Sequence, residues 1–168
     1  MQTFTAHYAS PVGPLELHAT ATALQAILFI DTERRPGPGR APSDVQPDVL
    51  LATMQQLDAY FAGTRLYFDL PTAQSGTEFQ EKVWAELGRI PYGETISYLE
   101  LARRLGDEKC IRAAGMANGR NNLSILVPCH RVIGSNGDLI GYGGDLWRKS
   151  WLLRHELEHA PKRAGELF

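Results

Sequence analysis

Cys129 stands directly before His130 in the stretch "SILVPCHRVIG", and it is one of two cysteines in a chain of 168 residues. The thiolate is the nucleophilic form of cysteine, and a free thiol titrates near ~8.5, so at neutral pH it needs a base. A histidine can take the proton directly or through one water. A carboxylate would then orient the imidazole. The final amphipathic stretch offers Glu156 and Glu158 for that task. The competing possibility is that Cys129 is a small core hydrophobe, as most free cysteines are. Cys110 has only Glu108 and Lys109 as charged neighbours and reads as structural.

A second pattern competes for the same helix. "HELEH", His155 to His159, fits H-E-x-x-H, which sets two histidines on one helical face. A catalytic zinc site needs a third ligand, and beyond His159 only Glu166 could serve. Glu158 also puts a charge inside the motif. We therefore expect no metal and take the segment as a polar helix end.

Several elements must position these groups. "GPLELHAT" alternates Leu15, Leu17 and Ala19 with polar partners, as a half-buried strand does. "ALQAILFID" is a more apolar strand, and "RLYFDL", closed by Pro71, is expected to be the third. "TERRPGPGRAPSD" is a loop. Leu50, Met54, Leu57 and Phe61 recur at helical spacing, with Gly63 as the stop. "PTAQSG" marks a boundary, after which the periods are helical. Thr77 with Gln80 forms a capping-box pattern ahead of Phe79, Val83 and Leu87. "SYLELARRLG" and "EKCIRAAGMANG", parted by "GD", give helix, glycine-containing turn, helix. Asn136-Gly137 is a tight turn, and "LWRKSWLLRHELEH" is a last amphipathic helix ahead of Pro161. The expected class is α/β of the α+β kind. Residues 1–76 form a sheet-plus-helix domain, 77–160 a mostly helical domain, and 161–168 a tail.

Charge bounds the partners. The net charge is −2, yet residues 1–78 carry 4 Lys/Arg against 8 Asp/Glu, while Leu99–Arg131 carries 6 against 3. That permits a small DNA footprint with few phosphate contacts. On the second helix of the pair, Arg112 precedes Ala113, Ala114 and Gly115. Small residues let a backbone approach a duplex, and one long cation can enter a groove or a base stack. The start "MQTFTAHYASPVG" has no basic leader region, and the longest apolar run, "ALQAILFI", cannot span a bilayer. A cytoplasmic protein without membrane attachment is expected.

Taken together, "FQEKVW", "IPYGETISY", "IRAAGMANGRN", "VPCHRVIG", "GYGG" and "LWRKSWLLRHE" resemble, in that order, the O6-alkylguanine-DNA alkyltransferases. The resemblance spans essentially the whole chain, with weaker support from "PVGPL" and "LDAYFAG". It implies a ribonuclease H-like N-terminal sheet domain of three antiparallel strands and a helix. It also implies a winged-helix-like, minor-groove-binding C-terminal domain. The activity implied is direct DNA repair by a monomer without cofactor. One alkyl group moves irreversibly from O6-alkylguanine, or O4-alkylthymine, in double-stranded DNA. Cys129 would be the acceptor, His130 the base through a water, and Glu156 its support. Tyr98 would protonate the leaving guanine and press on the extruded nucleotide, and Arg112 would fill the gap in the stack, with Ala113 and Gly115 against the duplex. Asn121 would brace the cysteine loop, and Asn118, Ser124, Val132, Tyr142 and Gly143 would line the guanine pocket.

The chemistry is coherent. The lesion carbon is sp³, so no oxyanion forms, and a soft nucleophile in line with the C–O bond suffices. The product thioether resists water, so the protein acts once. The target atom lies inside the duplex, so its nucleotide must be flipped out at a cost of a few kcal/mol. One departure stands out. Many relatives carry proline–X–proline after the position of Asn121, whereas this chain has Asn122 and Ser124. Other assignments fare worse: a lesion-binding protein of this fold lacks the cysteine, a thiol-sensing regulator would need an effector domain that the sequence does not show, and a thiol hydrolase needs an oxyanion hole.

Overall fold

Pro11 and Val12 turn the chain between two strands, β1 (Phe4–Ser10) and β2 (Gly13–Ala19), and β3 (Leu24–Phe29) adds to the far side. The computed structural model describes residues 1–162. The rest of the expected tail, with Glu166, lies outside the described residues. The sheet is antiparallel with order β1-β2-β3. Leu15, Leu17 and Ala19 are fully buried, and the alternation of β2 places them on the face covered by α1 (Asp48–Phe61). Leu50 and Leu57 of that helix are likewise fully buried. Ala62 caps it, and Gly63 follows with φ 78°, the left-handed stop that suits glycine.

The three-stranded sheet was expected, but not its membership. Arg65–Leu70 is not a strand, and Phe4–Ser10 is. Backbone partners decide this. The Gln56 side chain takes both the N–H and the C=O of Asp69, so that segment is tied to α1 instead of a ladder. Pro71 then accepts from Leu24 N–H, and Ala73 N–H returns to Leu24 C=O. The boundary segment thus runs along the open edge of β3. Further along that edge, Ile27 N–H donates to Asn122 C=O, and Ser124 N–H to Ile27 C=O. The edge of the N-terminal sheet is therefore covered by the stretch that leads to Cys129.

Beyond Thr77 the chain is mostly helical. α2 (Glu78–Leu87) begins with the expected capping box, in which Thr77 and Gln80 satisfy each other's backbone N–H groups. α3 (Tyr98–Arg104) and α4 (Ile111–Gly119) form the helix pair, joined through a 3-10 turn at Glu108–Cys110. Trp84 of α2 donates its indole N–H to Ala117 C=O at 3.0 Å and fixes α2 on α4. Two short strands, β4 (Ile96–Ser97) and β5 (Val132–Ile133), pair in parallel. That pairing puts the first residue of α3, Tyr98, beside the segment that follows Cys129. α5 (Leu146–His159) closes the fold, with Arg148, Lys149, Leu152, His155 and Glu156 buried. Among the described residues, no helix is long and apolar enough to cross a membrane.

The capping box makes a simple test. Thr77→Ala should lower stability by about 1 kcal/mol in chemical denaturation. A loss below a few tenths would mean that α2 is held by packing alone.

Candidate active site

Cys129 opens a 3-10 turn, Cys129–Arg131, which the preceding loop delivers under strain. Ile125 has φ 73°, a costly conformation for a β-branched side chain. The surrounding bonds hold it. Asn122 N–H meets Gln74, Leu123 N–H meets Asn121 Oδ1, and Asn121 Nδ2 donates to Val127 C=O at 2.9 Å. Gln74, in the boundary segment, also donates to Asn121 Oδ1. Asn121 thus braces the cysteine loop from several directions at once. Ser124 uses its own N–H on Ile27, a bond that a proline here would forfeit. The departure from proline at this position has a structural counterpart in that link to β3.

The turn places three consecutive side chains. Cys129 lines a cleft of about 340 Å³ together with Asn118, Asn121, Ser124, Tyr142 and Gly143. His130 and Arg131 point the other way, into the interior, toward Glu156. His130 Nε2 lies 2.8 Å from Glu156 Oε2. Arg131 donates Nε to Oε1 at 2.7 Å and Nη2 to Oε2 at 3.0 Å. Tyr60 of α1 donates its hydroxyl to Oε2 at 2.6 Å. Glu156 has no solvent exposure, while Glu158 is exposed, so the choice between the two carboxylates is made by the fold. Because Oε2 can only accept, His130 carries its proton on Nε2. Nδ1 is then the acceptor, and it is buried with no hydrogen-bond partner among the described residues.

Electrostatics match these roles. Burial raises the Cys129 thiol, and a hydrogen bond from Asn121 and the charge of Lys149 only partly oppose it. The thiol is therefore protonated at rest. Burial alone would raise Glu156, but the His130 imidazole and the Arg131 guanidinium that hydrogen-bond it outweigh burial and hold the carboxyl well below the usual range. Burial, then the neighbouring Cys129, raises Tyr98, so its phenol is a donor at neutral pH. Tyr98 Oη donates to Ile140 C=O at 3.2 Å, and the Lys149 ammonium shares that carbonyl at 2.9 Å. Lys149 is fully buried, and burial lowers it to about 8.

A wider groove continues from the cleft along α4, lined by Tyr98, Arg112, Gly115, Met116 and Ile140. Arg34, Gly119, Arg120, Gly141 and Gly143 border both spaces. Arg112 and Ala113 are exposed on α4. A Cβ on Gly115 would stand 3.8 Å from the Tyr98 ring, an ordinary contact, so α4 and Tyr98 meet there without strain. Val132 is placed elsewhere than the other pocket residues. It is fully buried in β5, is not among the residues lining the cleft, and gives its carbonyl to Lys149 at 2.6 Å. The histidines of "HELEH" are otherwise engaged: His155 Nε2 with Tyr60 C=O, and His159 Nδ1 with His155 C=O. Of the two glutamates between them, Glu156 faces His130. Cys110 is half-buried, with its sulfur 3.9 Å from Ala102 C=O.

Sequence reasoning missed Tyr60, Arg131, Lys149 and Gln74. One signal was available for Lys149. Arg148, Lys149, Leu152, His155 and Glu156 recur at core spacing on α5, and polar residues in a buried stripe announce a polar network. Tyr60 and Gln74 had no such signal, because their partners lie across the fold.

The fold and site define a protein that pairs a cleft-lining cysteine with a helix-turn-helix face. The comparisons agree. Residues 4–74 match the 6-O-methylguanine DNA methyltransferase ribonuclease-like domain, and residues 78–158 the DNA binding domain of the same family. The chain belongs to that family. It is 44% identical over 152 residues to a methylated-DNA–protein-cysteine methyltransferase of Mycobacterium tuberculosis, covering 90% of this chain and 91% of that one. The crystal structure of the M. tuberculosis O6-methylguanine methyltransferase superposes with a TM-score of 0.84 at 41% identity, covering 98% of each chain. That of M. tuberculosis OGT in complex with DNA gives 0.81 at 42%, covering 92% and 93%.

Acid stability tests the carboxylate. An unfolded glutamate titrates near ~4.3, and the folded Glu156 lies lower. Its contribution is therefore fully present above ~4.3 and is lost as pH falls toward the folded value. Glu156→Gln should cost about 3–5 kcal/mol near neutrality, since Arg131 loses its counter-charge. It should also flatten the loss of stability in acid, as read by denaturation midpoints against pH. An unchanged acid slope would rule the linkage out.

Proposed function

We propose that this chain repairs DNA by moving an alkyl group, methyl above all, from O6 of guanine to the sulfur of Cys129. The observation that carries this is a cleft-lining Cys129 followed in the chain by His130, which is held on a buried Glu156, beside an α4 groove with Arg112 at its edge. The family and the DNA complex of a relative support the same substrate class.

The step runs as follows. His130 Nδ1 takes the thiol proton through one water, and Nε2–H stays on Glu156. The sulfur attacks the alkyl carbon, an S–C bond forms, and the C–O bond breaks. Tyr98 gives a proton to the leaving guanine. The product is a thioether, which cannot be hydrolysed, so each chain reacts once. O4-alkylthymine presents the same alkyl–oxygen bond and is a second substrate. Asn118, Ser124, Tyr142 and Gly143 receive the base, with Val132 supporting them from behind. Access requires the nucleotide to rotate out of the duplex through the minor groove. Arg112 fills the gap, and Ala113 and Gly115 let α4 approach the strand. Residues 77–160 carry the chemistry, and residues 1–76 brace it. No cofactor takes part. The protein acts as a monomer, and its unpaired thiols suit the reducing cytoplasm.

Incubation with duplex DNA containing O6-methylguanine should add one methyl per chain, at Cys129, by intact mass and peptide mapping. Cys129→Ala should bind the duplex and stay unmodified. Continued turnover of excess lesion would exclude single-use chemistry. Arg112→Ala should slow repair of the duplex about tenfold while leaving the reaction with free O6-benzylguanine nearly unchanged. Equal losses on both substrates would remove Arg112 from the stack.

A further inference from the structure

We propose that Tyr60, from the N-terminal sheet-and-helix unit, is a positioning residue for the thiol chemistry: its hydroxyl shares Glu156 Oε2 with His130. The inference rests on the assignment of Cys129, His130 and Glu156 as the reacting relay. Tyr60 is fully buried on α1 and reaches Glu156 across 96 residues of sequence at 2.6 Å. It has no rotational freedom to spare. Its ring packs against Phe61, Phe68, Tyr92 and His155, and its own carbonyl accepts from His155 Nε2. Burial, reinforced by the neighbouring Glu156 charge, pushes its phenol well above the ordinary value, so it remains a donor.

The consequence is electrostatic as well as geometric. A carboxylate oxygen that accepts from Tyr60, His130 and Arg131 divides its charge among three donors. Each donor weakens the hold of Glu156 on a protonated imidazole. Tyr60 therefore sets how much of the Glu156 charge is left to act on the His130 ring, whose Nδ1 is the open acceptor. The charged and titratable groups around the hydroxyl are Glu156 and His155 on α5, His130 and Arg131 on the cysteine turn, and Tyr92 ahead of β4.

The test uses the full chain in a Cys110→Ser background, with iodoacetamide as a probe that needs no DNA. The Cys129 sulfur displaces iodide, and His130 takes the thiol proton. Rates are measured from about pH 5 to about pH 9. Tyr60→Phe keeps the ring packing and removes the donor. The acid limb should move up by about half a pH unit, read as a roughly threefold lower rate on that limb, with rates converging at high pH. If Tyr60→Phe fails to fold, 3-fluorotyrosine placed at position 60 retains the hydroxyl as a stronger donor, and the limb should move down. A limb that stays in place with either replacement overturns the proposal. Since the probe is independent of DNA, a wild-type protein that ignores O6-methylguanine would count against the repair function and not against Tyr60.

Discussion

A carboxylate with no access to water organises this protein. Removing such a group from solvent costs several kcal/mol unless it is paired and fully hydrogen-bonded. Glu156 meets that demand with four hydrogen bonds, from Tyr60 on α1, His130, and two nitrogens of Arg131. Those donors sit on separate segments, so satisfying one side chain requires α1, the cysteine turn and α5 to converge. Arg131 extends the knot by giving Nη1 to Ile90 C=O, which ties in the end of α2. The interaction that holds the His130 imidazole thus also holds the two halves of the chain together.

The cysteine loop is constrained from the opposite side by backbone hydrogen bonds. Ile27 on the edge of β3 pairs with Asn122 and Ser124, and Gln74 closes on Asn121. These bonds offset the strain at Ile125 and leave the thiol facing the cleft while the imidazole faces Glu156. An adjacent Cys-His pair can serve as nucleophile and base only if the backbone sends consecutive side chains to opposite surfaces. The 3-10 turn does so. Lys149 performs a similar service for Tyr98, since both donate to the Ile140 carbonyl.

Much of this was legible in the residues. Helical periods marked α1, α2 and α5, and the pairing of Thr77 with Gln80 marked the start of α2, because caps and amphipathic faces are local properties. The helix pair around Gly106 was visible for the same reason. Strand membership was not. Arg65–Leu70 has strand-like residues, but Gln56 captures its backbone, whereas Phe4–Ser10 pairs because a two-residue turn folds it back onto β2. Ladder partners are distant in sequence, so composition could not choose between the two segments.

The site divides along the same line. Sequence alone singled out Cys129 and His130, since they are neighbours and the ordered motifs around them identify the family. It also pointed to the class of reaction, because a soft thiol with a histidine beside it suits displacement at an sp³ carbon. From the residues themselves, Glu156 and Glu158 remained equal candidates. The family resemblance favoured Glu156, and the tertiary structure gives the physical reason by burying it on the inner stripe of α5 and leaving Glu158 in water. It alone brought in Tyr60, Arg131, Gln74 and Lys149, and it set Val132 behind the cleft. The reason is physical: identity and local order are written along the chain, but a hydrogen bond across 96 residues exists only once burial has forced its partners together.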